Sequence, residues 1–167
     1  TSIPSGLFDN TPNVTDFEET FMDNDITSIP AGLFDYTPNV TDFVKTFRSN
    51  NFTSIPSGLF DNTPNVTDFT GVFQNALITE IPTGLFNYTP NVTDFASIFL
   101  NAQNLETVNA GLFDAQTAAT NYDRCFELCA LTATSVDNIL VSIQYSADTN
   151  NLDNGIIGID GGTNATP

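Results

Sequence analysis

A repeat solenoid of about five stacked coils, closed at its C-terminal end by a helix, is the architecture this sequence predicts. Three observations carry that expectation. The heptad TPNVTDF recurs letter for letter at 11–17, 37–43, 63–69 and 89–95. All fifteen phenylalanines fall in columns that recur once per unit. The period, 26 residues, is too short for a unit to bury its own phenylalanines, so neighbouring units must do it.

Aligning the chain on itself places units near 1–26, 27–52, 53–78, 79–105 and 106–131, with one extra residue near Gln103 and a degenerate fifth copy, ETVNAGLFDAQTAATNY. One column holds Phe8, Phe34, Phe60, Phe86 and Phe113, and a second holds Phe21, Phe47, Phe73, Phe99 and Phe126. A third holds Phe17, Phe43, Phe69 and Phe95 with Tyr122, while Phe52 joins Ile26, Ile78, Leu105 and Leu131. The first two columns interleave every 13 residues, so each unit reads as two related halves. Each half sets a short extended segment before a turn of helical character that ends in Phe. Pro4 suits the first position of such a turn. The Asn, Asp, Thr and Pro that follow are turn formers. Stacked at the ~4.8 Å spacing of strands, five such coils make a rod about 24 Å long.

From about Thr132 the period stops, and 132–167 reads as a C-terminal cap. TSVDNILVSIQYSAD offers Thr134 or Ser135 as an N-cap and Val136, Ile139, Leu140 and Ile143 at helical spacing. NGIIGIDGGTNATP then reads as a short strand and a Gly-rich loop. The chain has no initiator Met and starts inside a repeat. It therefore reads as a processed or excised piece, and the missing signal peptide says nothing about secretion. Either more repeats precede Thr1 or something else covers that edge, self-association included.

Composition excludes several function classes. Twenty acidic residues stand against three cations, Lys45, Arg48 and Arg124, for a net charge of −17. Nucleic acid and anionic membrane surfaces are poor partners for such a chain, because phosphate binding needs clustered cations. No apolar run is long enough to insert in a membrane. The absence of His removes the commonest general base. Carboxylates recur as a series rather than as one asymmetric site, so no enzyme is expected.

The pattern NVTDFxxxF…LTSIPxGLF resembles the BspA-like leucine-rich repeats of bacterial and protist surface proteins. The resemblance covers about residues 1–131 and rests on four near-perfect copies, with Phe standing where that family often has Met or Leu. It implies a right-handed, leucine-rich-repeat-like stack and an extracellular, adhesive role at a cell surface. Similar repeats also look at home in phage tail and fibre proteins, where the location would be a virion surface. The implied partners are a surface protein or a glycan, with a filament or appendage subunit as the alternative.

Five sets of residues are candidates for function. The row Asp16, Asp42, Asp68 and Asp94, with Asn121 in the fifth coil, reads first as N-caps and second as calcium ligands, the one metal the sequence leaves open. The row Thr15, Thr41, Thr67 and Thr93 faces outward, either as a β-branched ladder or as an array for an ordered ligand. Lys45 and Arg48 place two of the three cations in one coil, as a contact patch or a solvated face. Seven sequons are present, four of them stacked at Asn13, Asn39, Asn65 and Asn91 as an Asn ladder. Asn87 heads another, and Asn51 and Asn164 are the ones freer to carry sugar. Cys125 and Cys129, spaced CxxxC, read as buried thiols or as a local disulfide. The positions that vary between units, such as EET, VKT, TGV and ASI after each Asp–Phe pair, are the ones left for a partner to read.

Overall fold

The computed structural model describes residues 1–150 and a two-residue strand at 156–157. Its regular elements are β1 (Asn121–Tyr122), α1 (Ala133–Asn150) and β2 (Ile156–Ile157), with β1 and β2 paired in parallel. The coils that precede them are built almost wholly from turns. Single parallel bridges join Asp16 to Asp42, Asp42 to Asp68, Asp68 to Asp94 and Asp94 to Asn121. These are points of contact rather than the short strands the repeat suggests.

The phenylalanines form one continuous core. Phe34, Phe43, Phe60, Phe69, Phe86 and Phe95 are all at most 1 % exposed. Within a column the rings stack nearly parallel, as in Phe47 on Phe73 at 6.0 Å and 1°. Between columns they meet edge-on or tilted, as in Phe34 on Phe43 at 4.7 Å and 62°. Both are favoured aromatic geometries, each worth about 0.5–1.5 kcal/mol beyond area burial. Coil spacing at these rings exceeds the ~4.8 Å expected for strands. It is 5.9–6.4 Å along the Phe8 column and 5.2–6.0 Å along the Phe21 column. A Phe ring needs more room than a backbone ladder.

The segment expected to be a helical turn, 17–23 and its copies, follows a different hydrogen-bonding plan. The N–H groups of residues 17, 19, 21 and 23 donate to the carbonyls of 42, 44, 46 and 48 in the next coil. The same four rows continue from coil to coil as far as Asn121, Asp123, Cys125 and Glu127, at 2.8–3.1 Å throughout. Every bond points the same way, with N–H toward the C-terminal neighbour. Intervening N–H groups turn back on their own coil, as Thr20 does to Phe17 and Met22 to Glu19. To alternate in this way the chain must enter the left-handed region twice within each of these segments. It does so at Glu19, Lys45, Gly71, Ser97 and Arg124, and again at Asp23, Ser49, Asn75, Asn101 and Leu128. An α-helix would have turned all these bonds inward and left the coils unpaired.

The extra residue of the fourth unit is absorbed in one added turn, closed by the Leu105 N–H on the Ala102 carbonyl. Helix α1 then covers the first half of the fifth coil. Its N-cap is Thr132, whose Oγ1 accepts the Ser135 N–H at 3.2 Å, and not Thr134 or Ser135. Its buried residues are Ser135, Ile139, Ser142, Ile143 and Ser146, whereas Leu140 stays 41 % exposed and Val136 only partly covered. Serines take half of the docking face because the coil edge offers backbone groups as well as carbon. Ser135 Oγ accepts the Val108 N–H and donates to the Glu106 carbonyl. Ser142 Oγ accepts the Phe113 N–H and donates to Asp114. Ser146 Oγ donates to the Gln116 carbonyl.

Candidate functional site: the turn face of the solenoid

Most of the repeated polar columns are consumed by the stack itself. Asp16, Asp42, Asp68 and Asp94 each accept, through Oδ1, the N–H two residues on, at 2.6–2.8 Å. Asn121 repeats that turn with Asp123 and donates its amide to Asp94 Oδ2. The carboxylates are therefore local caps of the Asx-turn kind. Partial burial raises the Asp42 carboxyl above its ordinary value. The Val44 N–H opposes this shift, and the neighbouring charges of Asp68 and Asp16 add to it. Among the described residues no three acidic or cysteine side chains converge as a metal cage.

The Thr column is exposed, and its hydroxyl hydrogens are engaged. Thr41, Thr67 and Thr93 donate to the carbonyls of Thr15, Thr41 and Thr67 at 3.1–3.2 Å. The Asn column is engaged likewise, with Asn39, Asn65 and Asn91 donating to the carbonyls of Pro12, Pro38 and Pro64. Asn51 is exposed and donates to Asp25 Oδ1 at 3.0 Å. Asn164 lies outside the described residues.

Cys125 and Cys129 are both buried and unbridged, so the disulfide alternative is not the arrangement found. Their columns explain why. Cys125 follows Thr46, Val72 and Ile98, and Cys129 follows Asn50, Ala76 and Ala102, all inward-facing positions. Asn50 Nδ2 donates to the Phe21 carbonyl of the preceding coil, and Cys129 Sγ does the same to Phe99. Burial pushes both thiols up, Cys129 to about 12, which keeps them protonated and unreactive at neutral pH.

What remains on the surface is the variable set. On the turn face Lys45 Nζ meets Glu19 Oε1 of the coil before it at 3.1 Å. Arg48 lies half-buried one turn on, and its Nε has no partner among the described residues. The two cations thus share a coil, but one is already paired. Farther along, Asn75 donates to Ser49 and Asn101 to Asn75, a polar row of changing composition over unchanging backbone. Arg124 pairs with Glu127 at the fifth coil. On the opposite edge Tyr36 and Tyr88 stand 58 % and 59 % exposed. Sequence columns had not singled out these tyrosines or the buried Asn50. Their signal is a break in an otherwise regular column, Asn10–Tyr36–Asn62–Tyr88 and Asn24–Asn50–Ala76–Ala102.

No family model matches the chain, and no curated protein does. Solved structures do. The crystal structure of the leucine-rich repeat domain of APL1B aligns with a TM-score of 0.53 at 25 % identity, over 65 % of this chain and 29 % of its own. The leucine-rich repeat domain of APL1 aligns with a TM-score of 0.61 at 22 % identity, over 78 % of this chain and 32 % of its own. The chain spans under a third of the length of either. What it shares with them is architecture: it is folded as a leucine-rich-repeat solenoid.

Proposed function

We propose that the chain is an extracellular, non-enzymatic recognition module that contacts a surface protein or glycan through the variable turn face. The observation that carries this reading is the division of labour among columns. Asn and Thr of the repeat spend their hydrogen bonds on the stack and Asp on its own turn, while the turn face keeps a different set of side chains on each coil. Repeat solenoids of this kind serve as scaffolds whose surfaces are specialised by single side chains. The leucine-rich-repeat neighbours support an interaction module in that coarse sense. The BspA-like resemblance supports the cell surface.

The test is a screen of the chain on a glycan array and on displayed extracellular proteins, repeated with Lys45→Glu combined with Arg48→Glu. Binding that the double charge reversal abolishes, with Thr67→Val unchanged, supports the turn face. Binding lost only with Thr67→Val moves the site to the Thr ladder, and no binder in either library sinks the reading. A filament, fibre or virion-appendage subunit is the second reading. It is favoured by the peptide rows from coil to coil, which any further coil would extend. Light scattering with calcium and with chelator separates the two. A concentration-independent monomer favours recognition, and polymers favour the appendage. Polymers that need calcium would assign the Asp row to bridging.

A further inference from the structure

The six sequons among the described residues are alike in sequence and unlike in the fold. Three of the four stacked ones, Asn39, Asn65 and Asn91, hold their amide nitrogens 2.8–3.0 Å from a proline carbonyl of the preceding coil. A sugar on those nitrogens would have to fit inside a coil-to-coil contact, and again on the next coil. Asn13 heads the same column, is exposed and has no such carbonyl to hold among the described residues. The Asn51 amide is tied to Asp25 across one coil step.

Asn87 differs from the four bonded ones and from the column of Asn13. It lies in the column otherwise occupied by Asp9, Asp35, Asp61 and Asp114, on the turn that each coil closes over its glycine. It is exposed, and its side chain has no hydrogen-bond partner among the described residues. The next residue, Tyr88, is 59 % exposed, and the amide nitrogen rests over Gly84, where the missing side chain leaves room. The backbone there is already secured by the Asn87 N–H on the Gly84 carbonyl, independently of the side chain. Neither contact with a neighbouring coil nor a ladder bond has to be given up for the amide to carry a substituent.

We infer that Asn87 is an N-glycan acceptor whose sugar this solenoid accommodates. The inference rests on the extracellular reading for its setting in the cell, but its chemistry does not. In the transfer, Asn87 Nδ2 attacks the anomeric carbon of a lipid-pyrophosphate-linked oligosaccharide. The new N–C bond replaces the C–O bond to pyrophosphate, the nitrogen gives one proton to the transferase's base, and the lipid pyrophosphate leaves. Thr89, the sequon's hydroxyl residue, is fully buried in the folded coil and donates to the Phe86 carbonyl. A transferase must read Asn and Thr of a sequon together, so transfer at Asn87 precedes folding. The fold then selects, because a chain carrying sugar on a bonded Asn such as Asn65 disturbs a coil contact and one carrying it at Asn87 disturbs none. The folded coil then presents the glycan outward. The sugar would cover the Tyr88 edge and leave the turn face free.

The test fuses the chain to a cleavable signal peptide, secretes it from eukaryotic cells and maps glycans by mass after enzymatic release in heavy-oxygen water. A forced secretory route keeps the result independent of where the protein natively resides. Occupancy at Asn87 above Asn39, Asn65 and Asn91 in the secreted chain is the expected result. Asn87 unoccupied, whether or not another sequon is filled, overturns the inference. Asn87→Asp restores the residue its column already accommodates and should remove one glycan's mass while leaving the circular dichroism spectrum unchanged. Purified, folded, unglycosylated chain offered to a transferase with its lipid donor should stay unmodified at Asn87. Efficient transfer to the folded chain would refute the part of the inference that rests on Thr89.

Discussion

The repeat coils and helix α1 solve the same problem by different means. A coil presents its neighbour with phenylalanine faces and four rows of backbone groups. The next coil answers with copies of both. Helix α1 has spent its backbone bonds internally and has none to offer. It answers the fifth coil with side chains instead, Ser135, Ser142 and Ser146 beside Ile139 and Ile143. Self-similar stacking can therefore rely on the main chain, whereas a closing element of a different type must carry its donors and acceptors in its sequence.

The sharpest way to break this contrast is in the coils. Phe69→Ala removes a fully buried ring that touches four others, and should cost about 3–5 kcal/mol by denaturant unfolding. Its loss should destabilise the neighbouring coils as well, visible as amide exchange spreading from unit to unit. On the helix side Ser142→Ala strands the buried Phe113 N–H and should cost about 1–3 kcal/mol. Leu140→Ala, on the outward face, should cost far less. A Leu140 effect equal to that of Ser142 would show that carbon, not hydrogen bonding, docks the helix.

Smaller effects sharpen the account of the turns. Gly84→Ala places a Cβ at φ +75° and 2.8 Å from Asn87 Nδ2, a left-handed site where an L side chain costs roughly 1–2 kcal/mol. Ser97→Gly runs the other way at φ +55° and should raise the melting temperature slightly. Last comes the Asp row. The Asp42 carboxyl is raised in the folded state, so the fold binds its proton more tightly than the unfolded chain does. Stability linked to Asp42 should fall as pH rises from the ordinary carboxylate value through the raised one. Asp42→Asn keeps the acceptor for the Val44 N–H, as Asn121 does for Asp123, and should flatten that slope. A variant with an unchanged pH profile would show that the row repels too weakly to matter.

Much of the stack was legible in sequence because each coil meets a copy of itself, so column membership predicts burial. Phe43, Val66 and Leu85 are inside for the reason their repeats are. The turn plan was not legible. Helical and left-handed turns share the same composition, and nothing in EET or VKT announces the positive φ at Glu19 or Lys45. The helix was placed correctly within a few residues. Its face was misjudged at Leu140 because apolar spacing does not register a backbone edge that prefers serine. At the site level, sequence singled out both the repeated polar rows and the variable positions with Lys45 and Arg48, and the repeated rows are the ones whose hydrogen bonds the fold uses. The informative positions were the irregular ones, Asn87 among the aspartates and Cys129 in the place of Asn50.

The four peptide rows have a further consequence for how such a chain can change length. Because each row is a simple translation from one coil to the next, a whole 26-residue insertion adds one link to every row and disturbs none. A shift of one residue inside 17–23 would break all four at once. The single extra residue of the fourth unit sits at 103–104, just past the last row at Asn101, where a local turn absorbs it. Length is quantised inside the rows and continuous only in the gap between them, so that gap is where a loop can be grafted without retuning the rod.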